Sequence, residues 1–357
     1  MSNTQTGMTL YDTATLIGVV ENLKTASTFF LDSFFSQEVV SNDGNVAIDI
    51  DVGKRRMSPF VSPLVEGKLV ESRRIQTKLF KPPYVKDKRA PDLLRAVRRM
   101  IGERIGGNQL TAQQRMDANL AMELADQQDM LKRRMEWMAT QSLTNGSLVI
   151  QGDGYETAII DFGRDPNLNI VLSGTDMWDA ENSTANPTDD VNKWMSLVMK
   201  SSGAQLTDLI FTNSAYYALV KNKEIQQNML NSAIRANDDV KMTLGPTMNA
   251  GARLQGYWGS FRVWLYNEWY VDADNIERPM IPDGIILGVS DQLQGTRAYG
   301  AIMDPQLGYI PTPFAPKMWF QEDPAQLVLM MQSSPLTIPT RINASFVAHV
   351  AKGYDNG

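Results

Sequence analysis

A helix signal of roughly 30 residues constrains this chain more than any other feature. In NQLTAQQRMDANLAMELADQQDMLKRRMEWMATQSLTNG, residues 108–146, the positions Met116, Leu120, Leu124, Leu131, Met135 and Met138 recur at three-, four- and seven-residue intervals. That spacing lays one apolar stripe along a helix. Thr111 is placed to cap the N-terminus, with Gln114 at the reciprocal box position. Asp129 sits four residues before Arg133, and Asn145-Gly146 stops the pattern. About 30 residues of helix within 108–141 span on the order of 45 Å. That is long for an ordinary domain, so a structural spine is expected. The apolar heptad is not sustained on both sides of Gln127, which argues against a coiled coil.

The second constraint lies just upstream. Val46, Ile48, Ile50 and Val52 alternate with Ala47, Asp49, Asp51 and Gly53, the period of a half-buried strand. This strand leads into GKRRMSPFVSPLVEGKLVESRRIQTKLFKPPYVKDKR, residues 53–89. Lys and Arg are mixed there with Val, Leu, Ile and Phe at strand-like positions, and Pro59, Pro63, Pro82 and Pro83 prevent a helix across either end. The stretch reads as a long two-stranded excursion with little core of its own. An isolated hairpin is marginal in water, so this one needs something to lie against.

Charge is unevenly distributed. The 357 residues carry a net −6, yet Lys54 to Arg104 holds 15 bases against 5 acids, a local +10. Between Gln151 and Asp190 the imbalance reverses, with nine acids against Arg164 alone. Two readings follow: a nucleic-acid surface, or self-association of a basic face on one copy with an acidic face on another. A solvated charged face is the bland alternative.

Searches for chemistry find little. The chain has no Cys, which removes disulfides and thiol nucleophiles and fits a reducing compartment. His349 is the single histidine, so two-histidine metal motifs are impossible and a catalytic relay would rest on one residue. It reads as an ordinary strand residue. GKRR lacks the upstream glycine and Ser/Thr of a phosphate-binding loop, and IGERIGGN has the wrong spacing. Asp153 between two glycines reads as a turn, and Asp189-Asp190 as helix-start charges. No secretory signal and no membrane-length apolar run is visible, so a protein made in the cytosol is expected.

Other segments organise around these. Residues 1–44 read as an arm, with Phe29, Phe30, Phe34 and Phe35 docking on a body. After Pro91, DLLRAVRRMIGERIGG reads as a short helix. SLVIQGDGYETAIIDFG is a hairpin, PTDDVNKWMSLVMKSSG a helix, LTDLIFTN a strand leading into a helix, and the C-terminal third a series of short strands. Strands and helices segregated in this way indicate the α+β class.

Five stretches then make the chain recognisable: MSPFVSPLVEGKLVESR, LFKPPYVKDKRAPD, DFGRDPNLNI, IPDGIILG with GTRAYGAI, and EDPAQLVLMMQSSPL, in this order. From about residue 45 to the C-terminus the chain resembles the major capsid protein E family of lambda-like tailed bacteriophages. The resemblance implies an HK97-like capsid fold: an N-terminal arm (1–44), an extended β-hairpin or E-loop (45–92), a peripheral domain (93–178 and 303–357) with a spine helix (108–141), and an axial domain (179–302). It implies a structural role with no catalytic, cofactor-binding or metal residue. Hexamers and pentamers of an icosahedral shell around double-stranded DNA, assembled in the host cytoplasm, are what such a chain would build. Its partners would be a portal, a separate scaffolding protein and a cement or decoration protein. DNA would be contacted without sequence specificity. The candidate intersubunit contacts are Arg55, Arg56, Lys68, Arg73, Arg74, Lys78 and Lys81. Some shells of this fold join an E-loop Lys to an Asn on a neighbour, and nothing in the sequence selects one Lys for that. An encapsulin-like compartment shell and a nucleic-acid-binding protein using the 54–104 block are the alternatives.

Overall fold

The computed structural model describes residues 28–42, 44–51, 57–70, 75–90, 111–152, 154–227, 251–309, 311–323 and 326–353. A short helix α1 (Phe29–Phe34) precedes strands β1 (Gln37–Val40), β2 (Val46–Asp51), β3 (Ile75–Phe80) and β4 (Val85–Arg89). The long helix α2 (Ala112–Asn145) follows, then β5 (Ser147–Gly152), β6 (Tyr155–Asp161) and β7 (Asn169–Val171). Helix α3 (Pro187–Ser202), β8 (Asp208–Phe211) and α4 (Asn213–Lys221) come next. Strands then dominate: β9 (Gly251–Trp258), β10 (Phe261–Asn267), β11 (Trp269–Val271), β12 (Glu277–Pro279), β13 (Ile285–Val289), β14 (Gly295–Tyr299), β15 (Ala315–Gln321), β16 (Gln326–Ser333), β17 (Pro335–Pro339) and β18 (Ser345–His349).

Helix α2 has 34 residues and is about 50 Å long. The expected box forms at its start: the Thr111 N–H donates to Gln114 Oε1 at 2.9 Å, and the Gln114 N–H to Thr111 Oγ1 at 3.2 Å. The helix continues past the anticipated Gln141 to Asn145. Its polar last turn is tolerated because hydroxyls bond back to the helix, Thr140 Oγ1 to the Trp137 carbonyl and Thr144 Oγ1 to that of Gln141. Gly146 then ends it at φ 69, where an L side chain would be strained. The short helix expected after Pro91 lies outside the described residues.

The chain divides into two compact units. The first comprises the described residues within 1–44, 82–140 and 297–337. Here Leu120 and Leu124 of α2 pack on Leu329 and Met331 of β16. The sheet runs β15-β16-β4, antiparallel throughout. Asp304, Lys317, Gln332 and Tyr84 form one polar network: Lys317 Nζ lies 2.9 Å from Asp304, Gln332 Nε2 donates to the same carboxylate, and Tyr84 Oη donates to Gln332 Oε1 at 2.6 Å. A buried carboxylate is tolerable when paired and bonded this way.

The second unit comprises the described residues within 45–81, 141–296 and 338–357. A six-stranded sheet, β7-β18-β13-β8-β10-β9, forms its centre, with β8–β10 and β18–β7 parallel and the other pairs antiparallel. Trp194 and Val198 of α3 and Tyr216 and Leu219 of α4 share one core with Phe211 of β8 and Phe346 of β18. Asn186 caps α3, accepting from the Thr188 and Asp189 N–H groups. This grouping differs from the segments 93–178 with 303–357 and 179–302, because β7 and β18 complete the sheet of the central residues. Helices and mixed sheets together make the class α+β. Among the described residues no helix is long and apolar enough to cross a membrane.

Candidate assembly surfaces

Strands β2 and β3 form a separate two-stranded ribbon, paired from Val46↔Phe80 to Asp51↔Ile75. Its root is buried. Val46 and Phe80 are covered, and the Phe80 ring lies 5.9 Å from that of Phe162. Beyond the root the character changes. Every residue from Met57 to Val70 is exposed, with Met57, Phe60, Leu64 and Leu69 each more than nine-tenths exposed. Burial of such a side chain stabilises by about 1.5–3 kcal/mol each. A contiguous exposed apolar segment of this kind marks an interaction site.

The candidate contact residues fall in different places. Lys68 is exposed on the loop and Lys81 is exposed just past β3. Lys78 is half-buried on β3, with Nζ close to the Cα face of Gly163. Arg55, Arg56, Arg73 and Arg74 lie outside the described residues.

The acidic stretch 151–190 is less uniform than its composition suggests. Asp165 caps a 3₁₀ turn by accepting from the Asn167 N–H, Asp179 accepts from the Lys352 N–H, and Asp190 accepts from Trp178 Nε1 at 2.9 Å. Burial pushes the Asp190 carboxyl above its ordinary value, with the Trp178 bond opposing. Asp161, Asp176, Glu181 and Asp189 are exposed. The charge available to a partner therefore comes from part of the block.

Two internal joints were not singled out from sequence. Helix α1 is only six residues long, yet Phe30, Leu31, Phe34 and Phe35 are buried. Both oxygens of buried Glu136 on α2 accept its first N–H groups, from Phe30 at 2.9 Å and Leu31 at 3.0 Å. Arg297 on β14 donates to the Leu31 and Phe35 carbonyls and lies 3.1 Å from Asp32. A negative group at the start and a positive group at the end match the helix dipole. The available signals were an acid adjoining the apolar stripe of α2 and a base inside GTRAYG.

The second joint explains DFGRDP. Arg164 donates to the Leu143 and Thr144 carbonyls at the end of α2 and to Ser345 Oγ at the start of β18. It supplies the donors that helix carbonyls lack after the last turn. Burial lowers its pKa to about 10, so it remains a cation near neutrality. Gly288, within IPDGIILG, meets Phe346 so closely that a Cβ would lie 2.0 Å from the ring. Arg164 and Gly288, within these recognisable motifs, are interior fastenings, whereas the loop 57–70 is exposed. His349 ends β18 opposite Ile285, an exposed strand residue.

The family described as phage major capsid protein E matches residues 12–350. The major capsid protein of Enterobacteria phage P21 is 28% identical over 336 residues, which cover 93% of this chain and 96% of that protein. Those of Escherichia phages N15 and lambda are 26% and 25% identical over the same shares. Among solved structures, one assigned to a prophage capsid protein of Escherichia coli CFT073 superposes with a TM-score of 0.72 at 20% identity, covering 96% of this chain and 99% of that one. The capsid of Ralstonia phage GP4 superposes at 0.54 with 12% identity, covering 100% and 99%. The fold is thus the HK97-like capsid fold, and the relatives are structural proteins rather than enzymes. With the match running from the arm to the last strand, the chain belongs to the phage major capsid protein E family.

Proposed function

We propose that this major capsid protein of a tailed bacteriophage self-assembles into hexamers and pentamers of an icosahedral shell enclosing double-stranded DNA. The observation that carries the reading is the loop 57–70, exposed at every residue, with Met57, Phe60, Leu64 and Leu69 each more than nine-tenths exposed. In a closed shell that loop reaches a neighbouring subunit and buries its apolar residues there. Arg55, Arg56, Lys68, Arg73, Arg74, Lys78 and Lys81 are the bases that would meet acids across the contact. Contacts repeated head to tail close into rings, and a protruding loop lets each copy bury more than the ~1,600 Å² of a standard interface.

We assign the peripheral role to the unit containing most of α2 and the axial role to the unit with the six-stranded sheet. A portal, a separate scaffolding protein and a cement protein are the further partners of this reading. DNA is contacted through charge alone, without base readout. Electron microscopy of the purified chain tests the proposal: shells, or rings of five and six subunits, are the expected outcome. Small uniform particles under every assembly condition would overturn it.

A further inference from the structure

A second two-stranded projection stands in the same unit as β2–β3. Strands β5 and β6 form a sheet of their own, with Val149 opposite Ile159. One face is buried through Leu148, while Val149 is 48% and Ile159 69% exposed on the other. β-branched residues facing one another across antiparallel strands make a compact apolar platform. Among the described residues, none covers Val149 or Ile159 to the extent that Leu148 is covered.

Charge distinguishes the two projections. Residues 53–74 carry six bases, Lys54, Arg55, Arg56, Lys68, Arg73 and Arg74, against Glu66 and Glu71. Residues 147–161 carry Asp153, Glu156 and Asp161 and no base. The projections share a root, since Phe80 at the end of β3 stacks near Phe162 just past β6. One copy therefore carries a basic apolar stretch at 53–74 and an acidic apolar one at 147–161, with residues 57–70, Val149 and Ile159 exposed.

We propose that the β5–β6 ribbon is the surface on a second copy that receives the loop 57–70. The loop's exposed leucines cover the Val149–Ile159 pair, and Lys68, with the bases that flank the loop in sequence, meets the acids of 147–161. This rests on the reading of 57–70 as an intersubunit contact and adds where the contact is made. Apolar cover supplies the affinity; the opposite charges fix register and reject loop-on-loop or ribbon-on-ribbon pairing.

The absence of native cysteine gives a clean test. Pairs combining Leu64→Cys or Leu69→Cys with Val149→Cys or Ile159→Cys are assembled in reductant, then oxidised with diamide, which takes up the two thiol hydrogens. Because each copy offers both a loop and a ribbon, disulfides should produce a ladder of covalent oligomers on a denaturing gel. Single-cysteine variants should give no ladder. In parallel, protease cleavage at Lys68 is compared in free subunits and shells. Protection with a ladder supports the proposal. Protection without a ladder from any of the four pairs overturns the receiving surface and leaves the loop reading standing. Cleavage as fast in shells as in subunits overturns both. Should the paired variants fail to assemble, Ile159→Lys in the otherwise native chain decides: shell yield should fall roughly tenfold with subunit melting unchanged, and a native yield overturns the proposal.

Discussion

The arm helix α1 and the loop 57–70 are built from similar residues and end in opposite environments. FFLDSF is followed by Phe35, and Phe30, Leu31, Phe34 and Phe35 are buried. The loop holds Met57, Phe60, Leu64 and Leu69, and all are exposed. Apolar content does not separate them; backbone satisfaction does. Glu136 and Arg297 take the orphan N–H and carbonyl groups at the two ends of α1, so the segment can leave water without leaving polar groups unpaired. The loop has a turn bond from the Val65 N–H to the Ser62 carbonyl and a side-chain bond to Ser62 Oγ, and its prolines at 59 and 63 cannot donate. One segment is buried within the subunit; the other, on the proposed reading, is buried only when subunits join.

The comparison breaks most sharply if the loop is excised. Replacing residues 57–70 with a short Gly-Ser linker should abolish shells while leaving the subunit's melting temperature unchanged. The cut must stop short of β3, because Phe80 is buried against Phe162. Sedimentation and calorimetry of the same preparation measure both quantities. Loss of the cooperative melt would show that the loop belongs to the core.

The opposite result is expected at α1. Glu136→Ala leaves two N–H groups without their acceptor, at about 1–3 kcal/mol each, so a loss of about 2–5 kcal/mol in subunit stability is expected. A six-residue helix does not persist alone, so the arm should also become sensitive to protease around Phe29–Phe34. An unchanged melt would remove the clamp from the account of why α1 is buried.

These two regions were not equally legible in the sequence. The arm aromatics, the capping box of α2 and the strand alternation at Val46–Asp51 were readable because each is a local pattern. The joints were not, since Glu136 meets α1 across more than 100 positions and Arg164 meets Ser345 across 181. The polar last turn TQSLTN gives no apolar periodicity, so the end of α2 was set four residues early. Grouping of β7 with β18 was hidden for the same reason: two short strands far apart carry no mark of their pairing.

Charge should matter less than apolar cover at the loop. Arg73→Glu with Arg74→Glu is expected to lower shell yield and to leave subunit melting unchanged, because exposed pairs contribute only ~0–1 kcal/mol each. Raising salt should weaken native assembly modestly, since apolar contacts are not screened. Native yield of the double variant at low salt, measured by sedimentation, would remove these two arginines from the interface.

The smallest effect is expected at His349. His349 is exposed overall, yet partial desolvation of its ring lowers its pKa below the ordinary histidine value, so the folded chain favours the neutral ring. The unfolded chain therefore binds this proton first as pH falls. The associated stability is fully present above about pH 6.5 and is lost as pH drops through the folded pKa. Because His349 is the single histidine, His349→Gln removes that contribution without disturbing another imidazole. The variant and native subunits should differ by a constant offset in melting temperature above about pH 7, and the native chain should lose relative stability as pH falls below about 6.5. Carboxylates titrate lower and act on both proteins alike, so they cancel in the difference. A difference that stays constant across the whole range would show that the β18 terminus does not sense the ring's charge. The pH dependence of the fold would then rest on carboxylates such as Asp190, whose raised pKa favours the folded state as pH falls.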